Sequence, residues 1–378
     1  MKIETSRTND TLTLFLSGRL DGTHAPELES AIAQSMEDLP QLVIHCADLE
    51  YVSSAGLRVL LTTFKKLGSS RMRLTEVPRD VFDILDMTGF SEMIPIERKL
   101  RNVDTTGCEC IGKGMDGTCW RLNDETLLKL YAPHVTPEQI EREKARARAA
   151  FVLGIPTALS YDMVRCGNQL GVVFEMVHAH TLAAEMAAHS DDLDHYAALF
   201  ADLSKTIHRT VADATIPRYL DHVLAEEAQA TWMTSAERAA LHSCIESFPS
   251  ASTCLHGDYH PGNVLYQNGE LLFIDMAEFS QGHPYFDIAQ VYNIFVRDYA
   301  SDLGKHITRL ERPERHRFWR AFLKSYFDAT TPADIAKIET DIARFNCVRQ
   351  LTYIRVFAET AEENKTYVRQ VLANLPPS

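Results

Sequence analysis

Residues 255–265 constrain the fold more than any other segment, because their sequence, LHGDYHPGNVL, places polar side chains and turn formers between two apolar patches. Asp258 and Asn263 are five residues apart in this Pro-Gly loop. A carboxylate and a carboxamide held in one loop can orient a hydroxyl nucleophile and bind Mg²⁺, respectively. The segment therefore predicts a loop with a chemical role.

Two further acids follow this loop. The apolar run at residues 271–274 ends in Asp275, and a carboxylate at the end of a buried strand is costly without a cation or hydrogen-bond donors. Mg²⁺ favours one or two carboxylate or carbonyl ligands together with phosphate oxygens, which makes Asp275 a candidate metal ligand. Asp287 lies among apolar residues and is expected to brace the loop by accepting backbone N–H bonds.

The same loop leaves a second interpretation open. Cys254, His256, Asp258 and His260 alternate along the sequence, so a zinc site is conceivable in an extended strand. The Pro-Gly pair after His260 interrupts such a strand, and no second paired cluster completes a set of four ligands. We therefore favour the magnesium interpretation.

A glycine-rich segment lies upstream of the loop. Gly112, Gly114 and Gly117 form a G-x-G-x-x-G pattern, which is followed by a strand, an Asn-Asp turn and a second strand that carries Lys129. A dinucleotide-binding fold would instead place a helix after the glycines. The pattern favours a hairpin folded over nucleotide phosphates, with Lys129 directed at them. The alternative is a glycine-rich turn beside a surface lysine.

A helix is predicted directly after this hairpin. Residues 136–139, Thr-Pro-Glu-Gln, form a capping box with proline at the first helical position. Glu141 or Glu143 on this helix can reach back to pair with Lys129 and hold its ammonium over the phosphates. The alternative is that both glutamates are solvated carboxylates on the helix surface.

Composition excludes several functional classes. Acidic residues outnumber basic ones by 52 to 38, and no concentrated basic face stands out, so we expect neither nucleic acid nor a membrane as a partner. None of the eight cysteines forms a C-x-x-C pair, and the N-terminal residues contain no apolar signal core. We therefore expect reduced thiols in a cytoplasmic protein.

Residues 1–100 are predicted to form a small α/β unit with the order β-β-α-β-α-β-α-β. Strand patterns occur at residues 12–16, 42–44 and 71–77, and helical spacing at residues 26–36 and 56–67. The charged, apolar-poor stretch at 97–104 indicates an interdomain linker. We set the domain boundaries at 1–100, 101–106 for the linker, and 107–378.

The glycines, Lys129 and the loop with its following acids resemble the aminoglycoside phosphotransferase and choline kinase-like family, a branch of the protein-kinase-like fold. The resemblance covers about residues 107–378 and implies ATP and Mg²⁺ as cofactors. It implies that Asp258 is the catalytic base and that Asn263 and Asp275 bind Mg²⁺. It also implies that Lys129 engages the α- and β-phosphates and pairs with Glu143.

The same resemblance implies further roles. The backbone from Glu175 to Val177 is expected to be the hinge that binds adenine. His256 and Asp287 are expected to support the loop. The acceptor is expected to bind among helices at 183–250 and 305–378. An acidic pocket for a polycation and an anion site are both open, with solvated surfaces as their alternatives. The candidate acids are Glu185, Asp191, Asp192, Asp194, Glu226 and Glu227, and the candidate basic residues are Arg309, Arg312, Arg315, Arg317 and Arg320.

Residues 1–100 resemble a second family, the STAS domains of anti-sigma-factor antagonists, through segments 16–21 and 48–61. In that family a partner kinase phosphorylates a serine at a helix start, which switches partner binding, and the matching residue is Ser54. Ser53 and Ala55 depart from the family pattern, which often has aspartate and a second serine at these positions. The alternative role for Ser54 is helix capping. Because the linker is short, we expect that Ser54 is not a substrate of the attached kinase domain.

The combined prediction is a two-domain protein of α/β and α+β class. A small STAS-type mixed sheet with helices is followed by a bilobal kinase-like domain with a mainly helical C-lobe. We expect an ATP- and Mg²⁺-dependent phosphotransferase that acts on a hydroxyl of a small-molecule acceptor and is joined to a module that binds a regulatory protein. The alternatives are a nucleotide-sensing, partner-switching regulator with little turnover, and an interaction protein whose kinase-like half is a scaffold.

Overall fold

A computed structural model describes residues 1–8, 10–34, 41–68, 70–297 and 302–375. The chain divides into two compact units, Met1–Val103 and Asp104–Ser378, and the division falls within the predicted linker. Each unit has its own hydrophobic core. In the described part of the chain, each helix is too short or too polar to cross a bilayer.

The first unit is built on a five-stranded sheet in the order β1-β2-β3-β4-β5, in which only the β1–β2 pair is antiparallel. Its strands are β1 (Lys2–Thr8), β2 (Thr11–Leu20), β3 (Gln41–Val52), β4 (Met72–Val77) and β5 (Ile96–Arg98). Its helices are α1 (Ala25–Ala33), α2 (Ser54–Leu67), α3 (Arg79–Met87) and α4 (Phe90–Met93), and a two-residue strand β6 (Arg101–Asn102) follows. The predicted mixed sheet with helices is confirmed.

Alternation along the strands builds the core of this unit. Leu12, Leu14 and Leu16 of β2 are at most 4% exposed because successive residues of a strand point to opposite faces of the sheet. Gly56 in α2 permits a close approach, since a Cβ there would lie 2.6 Å from Cγ of Leu20 at the end of β2. The start of α2 is therefore pressed against the end of β2.

Strand β5 includes residues 97 and 98 of the charged stretch, because it pairs in parallel with β4 and the Arg98 guanidinium lies 3.5 Å from the centre of the Phe82 ring. Two predictions for α2 need correction. Helix α2 begins at Ser54 rather than Gly56, and its N-cap is Ser53, whose hydroxyl accepts the Gly56 N–H. Ser54 is thus the first helical residue and is exposed, so it does not cap the helix. Part of the helix predicted over 26–36 lies outside the described residues.

The second unit begins with an antiparallel sheet in which five strands follow the order β10-β11-β9-β8-β7. These strands are β7 (Glu109–Lys113), β8 (Gly117–Arg121), β9 (Thr126–Tyr131), β10 (Ser160–Cys166) and β11 (Gln169–Glu175), and helix α5 (Pro137–Val152) connects β9 to β10. Thr136 and Gln139 form the predicted capping box of α5. The predicted order of hairpin and helix is confirmed.

The rest of the second unit is mainly helical, as predicted. Two small antiparallel sheets lie within it, one ordered β12-β14-β15 and one pairing β13 with β16. Their strands are β12 (His180–Thr181), β13 (Thr253–Leu255), β14 (Val264–Gln267), β15 (Glu270–Phe273) and β16 (Ser280–Gly282). The helices are α6 (Leu182–Ala188), α7 (Leu193–Arg209), α8 (Tyr219–Gln229), α9 (Ser235–Glu246), α10 (Tyr285–Phe295), α11 (Leu303–Thr308), α12 (Arg312–Phe327), α13 (Pro332–Val356) and α14 (Ala361–Ala373).

Aromatic packing fixes the loop after β13 against helix α7. The rings of Tyr259 and Phe200 stack with their centroids 4.1 Å apart. The buried Tyr259 hydroxyl donates to the Phe200 carbonyl at 2.7 Å and accepts a hydrogen bond from Ser204 at 3.0 Å. Because the buried hydroxyl is satisfied, this loop can be anchored in an apolar core without an unpaired polar group.

Candidate active site

The three glycines of the G-x-G-x-x-G pattern lie in the hairpin of β7 and β8. Gly112 and Gly117 belong to its strands, and the Gly114 N–H donates to the Gly117 carbonyl at 2.9 Å across the turn. A Cβ at Gly117 would lie 2.2 Å from the Leu130 carbonyl oxygen, so packing against β9 excludes any side chain there. The turn itself is exposed at residues 113–116, and a Cβ at Gly114 would meet no atom closer than 4.0 Å, so the backbone is accessible at Gly114.

Lys129 on β9 lies between two carboxylates. Its Nζ is 2.6 Å from Oε1 of Glu143 and 3.3 Å from Oδ1 of Asp275. Helix phase decides between the two predicted glutamates: Glu143 shares the buried face of α5 with Ile140 and Ala147, whereas Glu141 is exposed. The Lys129–Glu143 pair thus joins the sheet to α5.

The surrounding charges set the protonation of this cluster. Burial lowers the pKa of Lys129, but the carboxylates of Asp275 and Glu143 outweigh that effect and raise its pKa well above the ordinary value. Burial raises the pKa of Glu143, and Lys129 opposes this rise. Lys129 is therefore a fixed cation at neutral pH.

Asp275 follows strand β15 in the left-handed region, with φ 60° and ψ 65°. Non-glycine residues adopt this conformation rarely, and aspartate and asparagine tolerate it best. The preceding Ile274 N–H donates to the Asn263 carbonyl at 3.0 Å, which holds Asp275 beside the loop. The Asp275 side chain is 44% exposed, so one side of its carboxylate is open.

Asp287, on α10, is fully buried and organises the first residues of the loop. Its Oδ2 accepts the His256 N–H at 2.8 Å, and its Oδ1 accepts the Gly257 N–H at 2.9 Å. His208 Nε2 lies 3.2 Å from Oδ2. Burial raises the pKa of Asp287, but His208, His256 and the backbone donors outweigh this and leave it below the ordinary value. The carboxylate is therefore ionised, and both of its oxygens accept hydrogen bonds.

His256 is buried and neutral. Burial lowers its pKa, its Nε2 lies 3.1 Å from the Ile274 carbonyl, and its Nδ1 accepts the Asp258 N–H at 3.3 Å. These contacts require the proton on Nε2 and occupy both ring nitrogens. The zinc interpretation does not fit this arrangement, and within the described residues no group of three or more His, Cys, Asp or Glu side chains has metal-binding geometry.

Asp258 lies at the centre of the site and is half-buried. Its Oδ2 accepts from Asn263 Nδ2 at 3.1 Å and faces His260 Nε2 at 3.4 Å, while its Oδ1 accepts from Gln290 Nε2 at 2.7 Å. Burial raises the pKa of Asp258, but His260, Arg349 and His256 outweigh it and hold the pKa well below its usual range. Asp258 is thus an oriented carboxylate at neutral pH.

The residues that brace Asp258 from outside the loop were missed in the sequence. Gln290 lies on α10, and Arg349 and Tyr353 lie on α13. A local signal existed for Gln290, which follows Asp287 by three residues and so shares its helix face. The spacing of Arg349 and Tyr353, four residues apart, indicates only a common face and not what that face contacts.

Glu175 and Val177 lie where β11 ends. The Glu175 N–H donates to the Leu159 carbonyl at 2.9 Å, and the Val177 carbonyl accepts the Ala179 N–H at 2.9 Å. The Met176 N–H is bound to the Glu125 carbonyl at 2.8 Å. Of the three predicted hinge residues, Glu175 and Met176 therefore have their backbone donors occupied.

The acids predicted for a polycation pocket are dispersed in separate contacts. Glu185 accepts from the Tyr196 hydroxyl at 3.2 Å, and Asp194 pairs with Arg317 at 3.0 Å. Glu226 pairs with Arg355, and Glu227 with Arg238. The predicted basic run is likewise not one solvated face, since Arg315 is 4% exposed.

Two protein families match the chain, one in each unit. Residues 108–333 match the phosphotransferase enzyme family, and residues 2–103 match the STAS domain. The provisionally named anti-sigma factor antagonist BtrV of Bordetella bronchiseptica is 28% identical over 99 residues, which cover 25% of this chain and 85% of that protein. The anti-sigma-B factor antagonist of Bacillus subtilis is 26% identical over 102 residues, covering 26% and 93%, respectively.

Among solved structures, that of aminoglycoside phosphotransferase APH(4)-Ia is similar to this chain with a TM-score of 0.50 and 12% sequence identity. The similarity covers 71% of this chain and 94% of that one, which shows a shared fold. Both predicted resemblances are confirmed by these matches. The chain belongs to the phosphotransferase enzyme family and carries a STAS domain ahead of its phosphotransferase domain.

Proposed function

We propose that the second unit transfers the γ-phosphoryl group of ATP to a hydroxyl of a small-molecule acceptor, with Asp258 as the base. One observation carries the proposal. Asp258 is oriented by Asn263 and Gln290. The backbone of Asn263 is hydrogen-bonded to that of Ile274, which places Asp275 beside this loop, and Asp275 contacts Lys129, the partner of Glu143. Phosphoryl transfer depends mainly on positioning and on neutralising charge, and this arrangement supplies groups for both.

Lys129 and the glycine hairpin form the phosphate-binding part of the site in this proposal. Glu143 holds the Lys129 ammonium at 2.6 Å, so the cation is oriented before a nucleotide binds. The exposed backbone at Gly114, in the turn of the hairpin, permits close approach of phosphate oxygens. The backbone from Glu175 to Val177 is assigned to adenine.

Asn263 and Asp275 fit a divalent metal. The Asn263 Nδ2 donates to both the carbonyl and the carboxylate of Asp258, which leaves its Oδ1 as a free ligand oxygen. The partly exposed Asp275 carboxylate supplies the charged ligand. When bound, Mg²⁺ neutralises charge on the phosphate oxygens. Asn263 and Asp275 are the residues assigned to hold it, and His256 and Asp287 hold the loop in shape.

The acceptor class follows from the charges near Asp258. A polycationic acceptor requires free carboxylates, yet four of the predicted acids are engaged with partners of the same unit. The groups that surround Asp258 are instead neutral or cationic, namely Gln290, Arg349 and His260. We therefore assign a neutral or anionic hydroxyl compound as acceptor.

The first unit is assigned to binding a regulatory protein. Its similarity to anti-sigma factor antagonists and the exposed position of Ser54 at the start of α2 support this role. A phosphate on Ser54 would lie at a helix N-terminus, where the helix dipole favours negative charge. The source of this phosphate is tested by incubating the protein with Mg²⁺-ATP and mapping its phosphosites by mass spectrometry. Near-stoichiometric phosphate on Ser54 that is absent from Asp258→Ala would make it the chain's own substrate, contrary to our expectation.

Catalysis is tested with Asp258→Ala. We expect turnover to fall by at least about a hundredfold, the scale of a positioned general base, while nucleotide affinity changes little. The assay is a metabolite-pool phosphorylation screen with labelled ATP, read by mass spectrometry and accompanied by ATP hydrolysis. Turnover within a few-fold of wild type would remove Asp258 from the mechanism.

A further inference from the structure

Gln290 connects Asp258 to helix α13. It is 3% exposed, and its Nε2 donates to Asp258 Oδ1 at 2.7 Å. Its Oε1 accepts from Arg349 Nε at 3.3 Å and from the Tyr353 hydroxyl. The side chain therefore uses both ends of its amide within one buried network.

The orientation of the Gln290 amide is set by its partners. A guanidinium can only donate hydrogen bonds, so the group that faces Arg349 must be the amide oxygen. The Gln290 NH₂ group must then face Asp258, where an ionised carboxylate can only accept. The reversed amide would place the NH₂ group against the Arg349 guanidinium, donor against donor. It would also place the amide oxygen against the Asp258 carboxylate, acceptor against acceptor.

Arg349 in turn is fixed by several hydrogen bonds. It is 4% exposed, and its guanidinium donates to the Gly257 carbonyl, to the Tyr219 hydroxyl at 3.0 Å and to the Tyr353 hydroxyl at 3.1 Å. Gly257 directly precedes Asp258, so one guanidinium restrains the loop backbone and the amide that binds the carboxylate. Gln290 is thus attached to a rigid support.

The lone pairs of Asp258 are unequally occupied. Its Oδ2 faces two donors, Asn263 Nδ2 and His260 Nε2. His260 Nδ1 accepts the Gly262 N–H at 3.1 Å, which assigns the proton to Nε2. Oδ1 accepts from Gln290 alone among the described residues. A carboxylate oxygen has two lone pairs, so Oδ1 keeps one available for an incoming O–H.

We propose, building on the function proposed above, that Gln290 is a positioning residue that directs the free lone pair of Asp258 Oδ1 at the acceptor hydroxyl. In the step it supports, the acceptor O–H bond breaks and its proton passes to Oδ1. The acceptor oxygen bonds to the γ-phosphorus of ATP, and the bond from that phosphorus to the β–γ bridging oxygen breaks. ADP leaves with the electron pair of that bond.

Two variants of the full chain separate this role from packing. Gln290→Glu keeps an oxygen for Arg349 and Tyr353 but removes the N–H that binds Asp258, and Gln290→Leu removes both functions. With water as the acceptor, we expect kcat for Mg²⁺-ATP hydrolysis to fall about tenfold to a hundredfold in both, the effect of losing one hydrogen bond to a charged group. The KM for ATP and the affinity for a fluorescent ATP analogue should stay within about twofold, because Gln290 acts on the carboxylate alone.

Gln350→Leu is the matched control. Gln350 is also fully buried, and its Nε2 donates to Asn346 at 2.7 Å rather than to the loop. We expect its kcat to stay within about twofold of wild type once folding is verified by thermal unfolding. An equal loss of kcat in Gln350→Leu and Gln290→Leu would overturn the positioning role, since general loosening of the helices would then explain both.

A double-mutant cycle gives the decisive measurement. If Gln290 acts only through Asp258, adding Gln290→Leu to Asp258→Ala should change single-turnover hydrolysis by less than about twofold. If the fold-losses in single-turnover rate from the two substitutions instead multiply in the double variant, the proposal is contradicted. A wild type no faster than Asp258→Ala would overturn the proposed function and this inference with it. If hydrolysis is slow in Asp258→Ala but as fast as wild type in the Gln290 variants, the inference about Gln290 is overturned and the proposed function stands.

Discussion

Lys129 and Glu143 form an ion pair with 2.6 Å between Nζ and Oε1, which joins the central strand β9 to helix α5. The Asp275 carboxylate contacts the same ammonium at 3.3 Å. A single cation therefore links the sheet, the helix and the segment after β15 that contains Asp275. In the proposed function this contact orients a flexible lysine before a phosphate binds.

Replacing Glu143 by Gln should misplace this ammonium. The substitution keeps the side-chain shape but removes the charge that holds Lys129, and we expect kcat/KM for ATP to fall on the order of tenfold to a hundredfold. Steady-state kinetics provides the measurement, and Glu141→Gln, an exposed neighbour on α5, is the matched control. Equal effects from the two substitutions would show that the Lys129–Glu143 contact is not required.

Asp275→Asn tests the metal assignment. Asparagine tolerates the left-handed backbone at this position, so the turn should persist while the charged ligand is lost. We expect weaker binding of ATP in the presence of Mg²⁺, and unchanged binding in EDTA. Calorimetry under both conditions makes the comparison. Unchanged Mg²⁺-dependent affinity would identify Asp275 as a structural acid.

Asp287→Asn should destabilise the second unit. Both carboxylate oxygens accept N–H groups, so an amide at this position must point one NH₂ at a donor. A buried unsatisfied group costs about 1–3 kcal/mol of the free energy of unfolding. Asp202→Asn removes an exposed partner of Lys205 and should cost less than about 1 kcal/mol. Urea unfolding of the two variants, followed by tryptophan fluorescence, compares them.

The contribution of Asp287 should also depend on pH. Its folded-state pKa lies below the unfolded value of about 3.9, so its stabilisation is complete above that value and is lost as pH falls through the folded-state pKa. Between about pH 6 and about pH 3, wild type should therefore lose more stability than Asp287→Asn. The free energy of unfolding is measured against pH for both proteins, and parallel curves would contradict the low pKa of Asp287.

Ser53 and Ser54 should differ sharply in their effect on α2. Ser53→Ala removes the N-cap acceptor of the Gly56 N–H and should cost about 1 kcal/mol. Ser54→Ala alters an exposed first helical residue and should be close to neutral. Hydrogen exchange at the first amides of α2 in the full chain distinguishes them. Faster exchange in Ser54→Ala than in Ser53→Ala would reverse the assignment of the cap.

Local patterns in the sequence were sufficient for much of the site. The capping box at Thr136, the strand–turn–strand order that carries Lys129 and the loop from His256 to Asn263 are encoded over a few residues each. Helix phase also favours Glu143, since it falls three residues after the buried Ile140. Distance from the capping box alone fits either Glu141 or Glu143, whereas helix phase and the family resemblance both favour Glu143.

Long-range contacts could not be predicted in the same way. Arg349 follows Gly257 by 92 residues, and no periodicity relates α13 to the loop that it contacts. The bounds of β5 were hidden for a similar reason, since this strand is short and charged and takes in residues 97 and 98 of the charged stretch, so that only its pairing with β4 defines it. Residues that act through tertiary contacts leave weak local signals.

The bracing of Asp258 has a consequence for where the phosphotransferase domain can be cut. The family match ends at residue 333, whereas Arg349 and Tyr353 lie on the part of α13 beyond it. A protein shortened at that boundary would retain each residue assigned to nucleotide and metal, yet Gln290 would lose both donors to its amide oxygen. Asp258 would keep its contacts with Asn263 and His260, but the amide that orients its Oδ1 would have no support from α13. The working limits of the domain therefore extend past the family match, to the helix that supports Gln290.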